Sequence, residues 1–260
     1  NPLTFDTNTG NITSSGVISG AGTGALAIGD STNTGTIIFT GSNTYASDTN
    51  IAGGTLKIGG AGVLGGGSYS GAINNAGAFL YSSSANQTLS GVISGAGSIT
   101  KDTGTGTLTL SAAETFTGNI AISAGTLQIG GAGSLNSGSY AGSISIGTGS
   151  TFEYSSSAVQ SLSGAISGAG TLTQDMAATT VSISNANTSF TGAVNVNGGT
   201  LVVTNPSALG GSTGGLVSIA DGAALDLRYT GTVNLGSLAM VAGAAITNST
   251  SNSALNINGI

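Results

Sequence analysis

The chain has 260 residues, of which only 5% are charged: nine acids, three bases (Lys57, Lys101 and Arg228) and a net charge of −6. Three bases cannot form a patch that neutralises phosphates or docks on anionic lipid, so neither nucleic acid nor membrane insertion by this segment is expected. Cysteine and histidine are absent, which removes disulfides, thiol chemistry and the usual transition-metal ligands, and no apolar run reaches the ~18 residues of a spanning helix.

Glycine fills 47 positions and proline two, the wrong balance for collagen. A 38% hydrophobic content rich in Val, Ile, Leu and Thr argues against disorder. Many short strands joined by tight turns fit this composition. The chain opens on Asn1 without an initiator methionine or a signal-like segment, and reads as a processed product or an excised fragment.

Taken in chain order, strand-like phrases begin within the first 16 residues. The phrase SGVISGAG then runs from Ser15 to Gly22, returns at Ser90–Gly97, and recurs as SGAISGAG at Ser163–Gly170. A longer unit, Asn43–Gly71, recurs as Glu114–Gly142 and more loosely as Thr188–Gly215. Tyr45, Phe116 and Phe190 hold one place in it; Tyr81, Tyr154 and Tyr229 hold another. Between these landmarks GTLTLS (106–111), NIAIS (119–123), GTLQIG (125–130), SISIG (143–147) and TFEYS (151–155) alternate apolar with small polar residues, the period of half-buried strands of about 4–6 residues. No window has helical spacing. A degenerate fourth copy starts at Leu235, 73 residues after Leu162.

Sandwich, propeller and β-solenoid all allow short alternating strands. Self-similarity over most of the chain, mid-sized Ile, Leu and Val at the apolar positions, and small turns favour the solenoid. The expected fold is all-β: one right-handed parallel β-helix over 1–260, with internal repeats at about 15–89, 90–162, 163–234 and 235–260. Coils of roughly 20–25 residues give about a dozen turns, three to each repeat, with the repeated phrase serving to stack like on like. Val17, Ile18, Leu56, Ile58, Val92, Ile93, Leu108, Leu110, Leu127, Ile129, Ile166, Leu172 and Leu201 are the expected inward positions.

The stretch Gly95–Gly130 resembles the autotransporter-associated β-strand repeat of bacterial passenger domains, through Lys101, Thr107–Ser111, Thr115–Gly118 and Thr126–Gly130. The third unit departs from it, with Gln174 in place of the lysine. The resemblance implies a β-helix secreted to a bacterial surface and carries no catalytic residues. The family's membrane barrel has no counterpart here.

Parallel β-helices also host polysaccharide lyases and hydrolases, so the acids Asp6, Asp30, Asp48, Asp102, Glu114, Glu153, Asp175, Asp221 and Asp226 bear on function. Glycosidic cleavage needs two carboxylates roughly 5–9.5 Å apart, at i, i+2 or on adjacent coils. No i, i+2 pair exists, and Asp226 with Arg228 reads as an exposed ion pair. No calcium-roll nonapeptide occurs, and glycine patterns like GxGxxG are expected by chance. The threonines of Thr103–Leu110 raise an ice-binding face, but the Thr-x-Thr doublet is prominent once. Tyr69 and Tyr140 in equivalent turns could stack on sugars or pack over the solenoid edge. Sequons at Asn11 and Asn86 are expected in so Ser/Thr/Asn-rich a chain.

These residues name no catalytic, cofactor or metal site and no cofactor. The expected function is a non-catalytic structural rod, a stalk, adhesin segment or fibre subunit outside a bacterial cell. The alternative is a β-helix that binds or cleaves surface polysaccharide. No polar cap is legible at either end, so the rod is expected to continue into a longer passenger or to join end to end with its own copies.

Overall fold

The computed structural model describes every residue except 1–2, 8, 21–23, 30–31, 33, 212–213, 251–252 and 258–260, and the backbone alone of 253–257. The chain is a parallel β-solenoid of about eleven turns. Helix among the described residues amounts to two three-residue 3-10 turns, Gly65–Gly67 and Asn136–Gly138, and a single 3-10 position at Gly211.

Each turn visits three faces in a fixed order. The first face begins with Thr4–Phe5, Leu26–Ile28, Thr49–Ile51, Ile73–Asn75 and Ile93–Ser94. Its ladder breaks at Phe116, whose amide donates to the Ile93 carbonyl and whose ring packs edge-on against Tyr140, with ring centres 5.7 Å apart. It resumes at Ser139–Tyr140 and runs to Ala245–Thr247. The second face runs from Asn11–Ser14 to Ile166–Ser167 and resumes with the pair Gly231–Leu235 and Ser253–Ile257, and the third runs from Ser68–Tyr69 to Ser237–Met240. Every strand pair is parallel, and paired residues on neighbouring turns are between 19 and 25 positions apart.

Strict alternation explains why these segments form strands. In Thr107–Leu110, Leu108 and Leu110 point inward and are fully buried while the threonines are half-exposed. Inward residues stack in columns along the axis: Phe79, Ile99, Ile120, Ile144 and Ile166 make one such column on the second face. Aromatic rings belong to the core too. Phe39, Tyr45, Tyr69, Phe79, Tyr81, Phe116, Tyr140, Phe152, Tyr154 and Phe190 are all buried.

The expected inward set holds for eleven of its thirteen members, Ile18 being only partly buried. Val17 and Val92 are exposed, at 60% and 38%. The reason is geometric: in Val-Ile-Ser the two adjacent apolar residues cannot share a side of a strand, and the isoleucine takes the core.

The relation of repeat to turn also differs from expectation. Three turns separate Phe79 from Ile144 along the column, and six further residues, one face, separate Phe79 from Ile73, the counterpart of Ile144 in the preceding repeat. A repeat is therefore three and one-third turns, not three. Equivalent residues lie on successive faces, and the repeated phrase never stacks on its own copy. Its first glycine occupies a corner each time: Gly16 between the second and third faces, Gly91 between the third and first, Gly164 between the first and second. At these corners the turns nearly touch. A Cβ on Gly91 would sit 2.1 Å from the Gly71 carbonyl oxygen, and one on Gly164 2.0 Å from that of Gly142. At Gly91 and Gly164 the corner therefore needs a residue without a side chain, which accounts for the glycine of the phrase at those two places.

Candidate functional site

Hydrogen-bonded polar side chains occupy both the interior and the third face. Inside, side-chain amides clamp the turns. Gln87 accepts from the Leu64 amide at 2.7 Å and donates to the Leu64 and Thr88 carbonyls at 3.1 and 2.9 Å; Gln160 does the same with Leu135 and Ser161. Lys101 and Gln174 occupy one place in two repeats, Lys101 above Tyr81 and Gln174 above Tyr154. The lysine is fully buried, donates to the Thr103 carbonyl, and lies 5.8 Å from the Tyr81 ring centre. Burial holds its pKa below the ordinary value, with Asp102 acting in the opposite sense. Gln174 reaches the Thr179 and Thr200 carbonyls at 2.9 and 3.2 Å. Both side chains quench backbone acceptors turned into the core, so the lysine-to-glutamine departure preserves the role.

Tyr69 and Tyr140 do not face solvent. Tyr69 packs edge-on against Tyr45, 5.4 Å between ring centres, and its hydroxyl meets Thr49 Oγ1 at 2.8 Å and the Ser47 carbonyl. Burial pushes its pKa up to about 12. Tyr140 donates to the Gly118 carbonyl. Of the two roles expected for these rings, packing is the one the structure shows, and sugar stacking by them is ruled out by burial.

The third face carries the most developed polar surface. Thr107, Thr126, Thr151 and Thr171 form one outward column, and Thr109, Gln128, Glu153, Thr173, Asn195 and Ser218 the next. Thr109 Oγ1 donates to Gln128 Oε1 at 3.1 Å, and Gln128 Nε2 donates to Glu153 Oε1 at 2.8 Å. Ser155 Oγ lies 3.1 Å from Glu153 Oε1 and 3.4 Å from Asp175 Oδ2, and Asn197 Nδ2 donates to Asp175 Oδ1 at 3.2 Å. Gln128 and Glu153 interrupt the Thr-x-Thr doublets at Thr107 and Thr171, so a regular threonine face is not formed.

Glu153 and Asp175 are thus carboxylates on adjacent turns, bridged by one hydroxyl. Sequence reasoning set the condition for such a pair, a separation of about one coil, and passed over these two, which are 22 residues apart. Exact turn length was the missing signal, because only the register brings Ser155 beside Asp175. Chemically the ladder offers acceptors and amide donors to a hydroxyl-rich ligand, with no base beside the two acids.

The other acids are dispersed. Asp48 accepts from the Ala72 amide at 2.8 Å, and Asp102 accepts from Ser82 and Thr103 hydroxyls. Asp6 and Asp221 are exposed, Asp30 lies outside the described residues, and Glu114 is buried at a corner. Asp226 pairs with Arg228 at 2.8 Å, but its carboxylate is only 6% exposed, so this is not the exposed ion pair expected. The Ser249 amide and hydroxyl, one turn on, cover it. Among the described residues no three His, Cys, Asp or Glu side chains converge on a possible metal position, and no helix is long and apolar enough to cross a membrane.

Three segments, 31–58, 102–129 and 178–203, match the passenger-associated-transport-repeat family model. Their first strands, Thr36–Phe39, Thr107–Leu110 and Thr180–Ile183, stand on the second, third and first faces in turn, in keeping with one-third of a turn gained per repeat. No curated protein and no solved structure matches the chain.

Proposed function

We propose that this chain, whose three matched segments are repeats of the autotransporter passenger family, is a non-catalytic structural rod. Such repeats imply a secreted or surface location, and the finer reading is a stalk, adhesin segment or fibre subunit outside a bacterial cell. One observation carries it: the inward columns run from turn to turn while the polar groups of the outer face bond mainly to one another. Such a molecule acts through length, stiffness and display.

The rod is also proposed to stack at its ends, on further coils of a longer passenger or on a second copy. Ile12 and Met240 hold inward positions in the outermost described turns of their sheets and are 37% and 42% exposed, apolar surface that another turn would cover. Electron microscopy of the purified chain should reveal uniform short rods or threads of them. Compact round particles would overturn the rod, and a species that stays monomeric at rising concentration would overturn stacking on copies.

The Glu153–Asp175 pair favours a second reading, binding or cleavage of a surface polysaccharide. Incubation with a polysaccharide panel distinguishes the two. The rod reading expects no new reducing ends; release that disappears in Glu153→Gln would establish the enzyme instead.

A further inference from the structure

One corner position recurs in all three repeats and always ties three turns together. Asn43 donates its amide to the Val63 carbonyl at 2.9 Å, accepts the Ile18 amide on Oδ1 at 2.9 Å, and donates from Nδ2 to the Gly41 and Val63 carbonyls at 3.0 and 3.3 Å. Asn187 repeats this with the Ser207 carbonyl, the Ile166 amide at 2.8 Å, and the Ala208 carbonyl at 2.8 Å. The counterpart of Glu114 is thus Asn187; aligning the aromatics alone would have put Thr188 there, and the structure absorbs one extra residue before Phe190.

In the middle repeat the place belongs to Glu114. Its amide donates to the Ser134 carbonyl at 2.8 Å and its Oε2 accepts from the Ile93 amide, as the asparagines do. Oε1 is buried without a partner, where the asparagines carry the NH2 that donates onward. An ionised carboxylate has only acceptors, and a carboxylic acid regains one donor. Carbonyl oxygens at Ala112 and Ser134 correspond to those that receive the Asn43 amide.

We propose that Glu114 is kept as the carboxylic acid and forms a proton-closed clasp between turns, fastened in acid and released as the carboxyl ionises. Burial, opposed only by the Ile93 and Ala112 backbone groups, raises its pKa from 4.5 to about 8, and no charged side chain contributes. Of the titratable groups on packed elements, Tyr140 on the turn above is neutral throughout this range because burial raises it strongly. Lys101 on the second face is committed to the Thr103 and Gly104 carbonyls. A carboxyl whose folded pKa is raised binds its proton more tightly folded than unfolded. The stability it confers is complete below about 4.5 and is lost progressively as pH rises toward 8.

Glu114→Gln supplies acceptor and donor without a titration. Thermal melts of the full chain from pH 5 to pH 9 should fall by roughly 5 °C or more in the parent and stay level in the variant, which should be the more stable at pH 9. Hydrogen exchange at the Ile93 amide should quicken relative to Ile166 over the same range in the parent alone. An equal pH dependence in both proteins, or none in the parent, would overturn the clasp. Should glutamine prevent folding, Glu114→Asn, the residue of the other two repeats, makes the same comparison.

Discussion

Ile93 and Ile166 hold the same place in the same repeated phrase, yet Ile93 pairs with Ile73 on the first face and Ile166 with Ile144 on the second. A repeat can therefore be excised only if everything after it turns by one face. Removing 102–174 does this while keeping the backbone register at the junction, with Asp175 taking the place of Asp102. The Asp175 amide, which donates to the Tyr154 carbonyl, would meet the Tyr81 carbonyl that now receives Asp102. Removing 99–165 instead takes out three whole turns and sets the two-residue strand Ile166–Ser167 over the six-residue strand Ala78–Ser83, with no Lys101 above Tyr81. The first deletion should melt cooperatively, and the second about 5–10 °C below it from lost packing. A second deletion as stable as the first would refute the one-third-turn offset.

Leu108 is sandwiched between Gln87 below and Leu127 above, with no solvent exposure. Leu108→Asp would bury an unpaired charge, and the variant should lose several kcal/mol or fail to fold. Thr109→Asp, one residue away on the outer side, should change stability by less than about 1 kcal/mol. Urea titrations of both variants check the alternation, and equal losses would count against it.

Alternation and self-similarity are local properties, which is why fold class and most inward positions could be read from GTLTLS and GTLQIG. Turn length is not local. The separation of paired residues varies between 19 and 25, and only the ladder itself adds these steps into three and one-third turns. For the same reason the Glu153–Asp175 neighbourhood and the common role of Lys101 and Gln174 stayed hidden. Val17 and Val92 were misplaced because two adjacent apolar letters do not say which one a short strand turns inward.

The corner glycines give a matched comparison within one phrase. A methyl group on Gly164 would stand 2.0 Å from the Gly142 oxygen, whereas one on Gly16 meets nothing within 4 Å. Gly164→Ala must push the turns apart and should cost about 2–4 kcal/mol. Gly16→Ala should be neutral or stabilising by up to about 1 kcal/mol through the unfolded chain. Differential scanning calorimetry of the pair decides it; equal melting temperatures would mean that corner contact is not what selects glycine.

The buried carboxylate of Asp226 adds a pH dependence opposite in sign to that of Glu114. Burial alone would raise its pKa, but the Ser249 and Arg228 donors outweigh this and hold it below the ordinary 3.8. A carboxyl with a lowered folded pKa stabilises above its unfolded value, and that contribution disappears as pH falls through the folded one. Asp226→Asn should therefore be less stable than the parent at pH 6, with the gap narrowing steadily below pH 3.8. Urea midpoints at pH 6, 4 and 3 test this, and a gap that widened in acid would reverse the assignment. With Glu114 losing its contribution above about 4.5, the contributions of these two carboxyls are jointly largest in acidic solution, between those two limits.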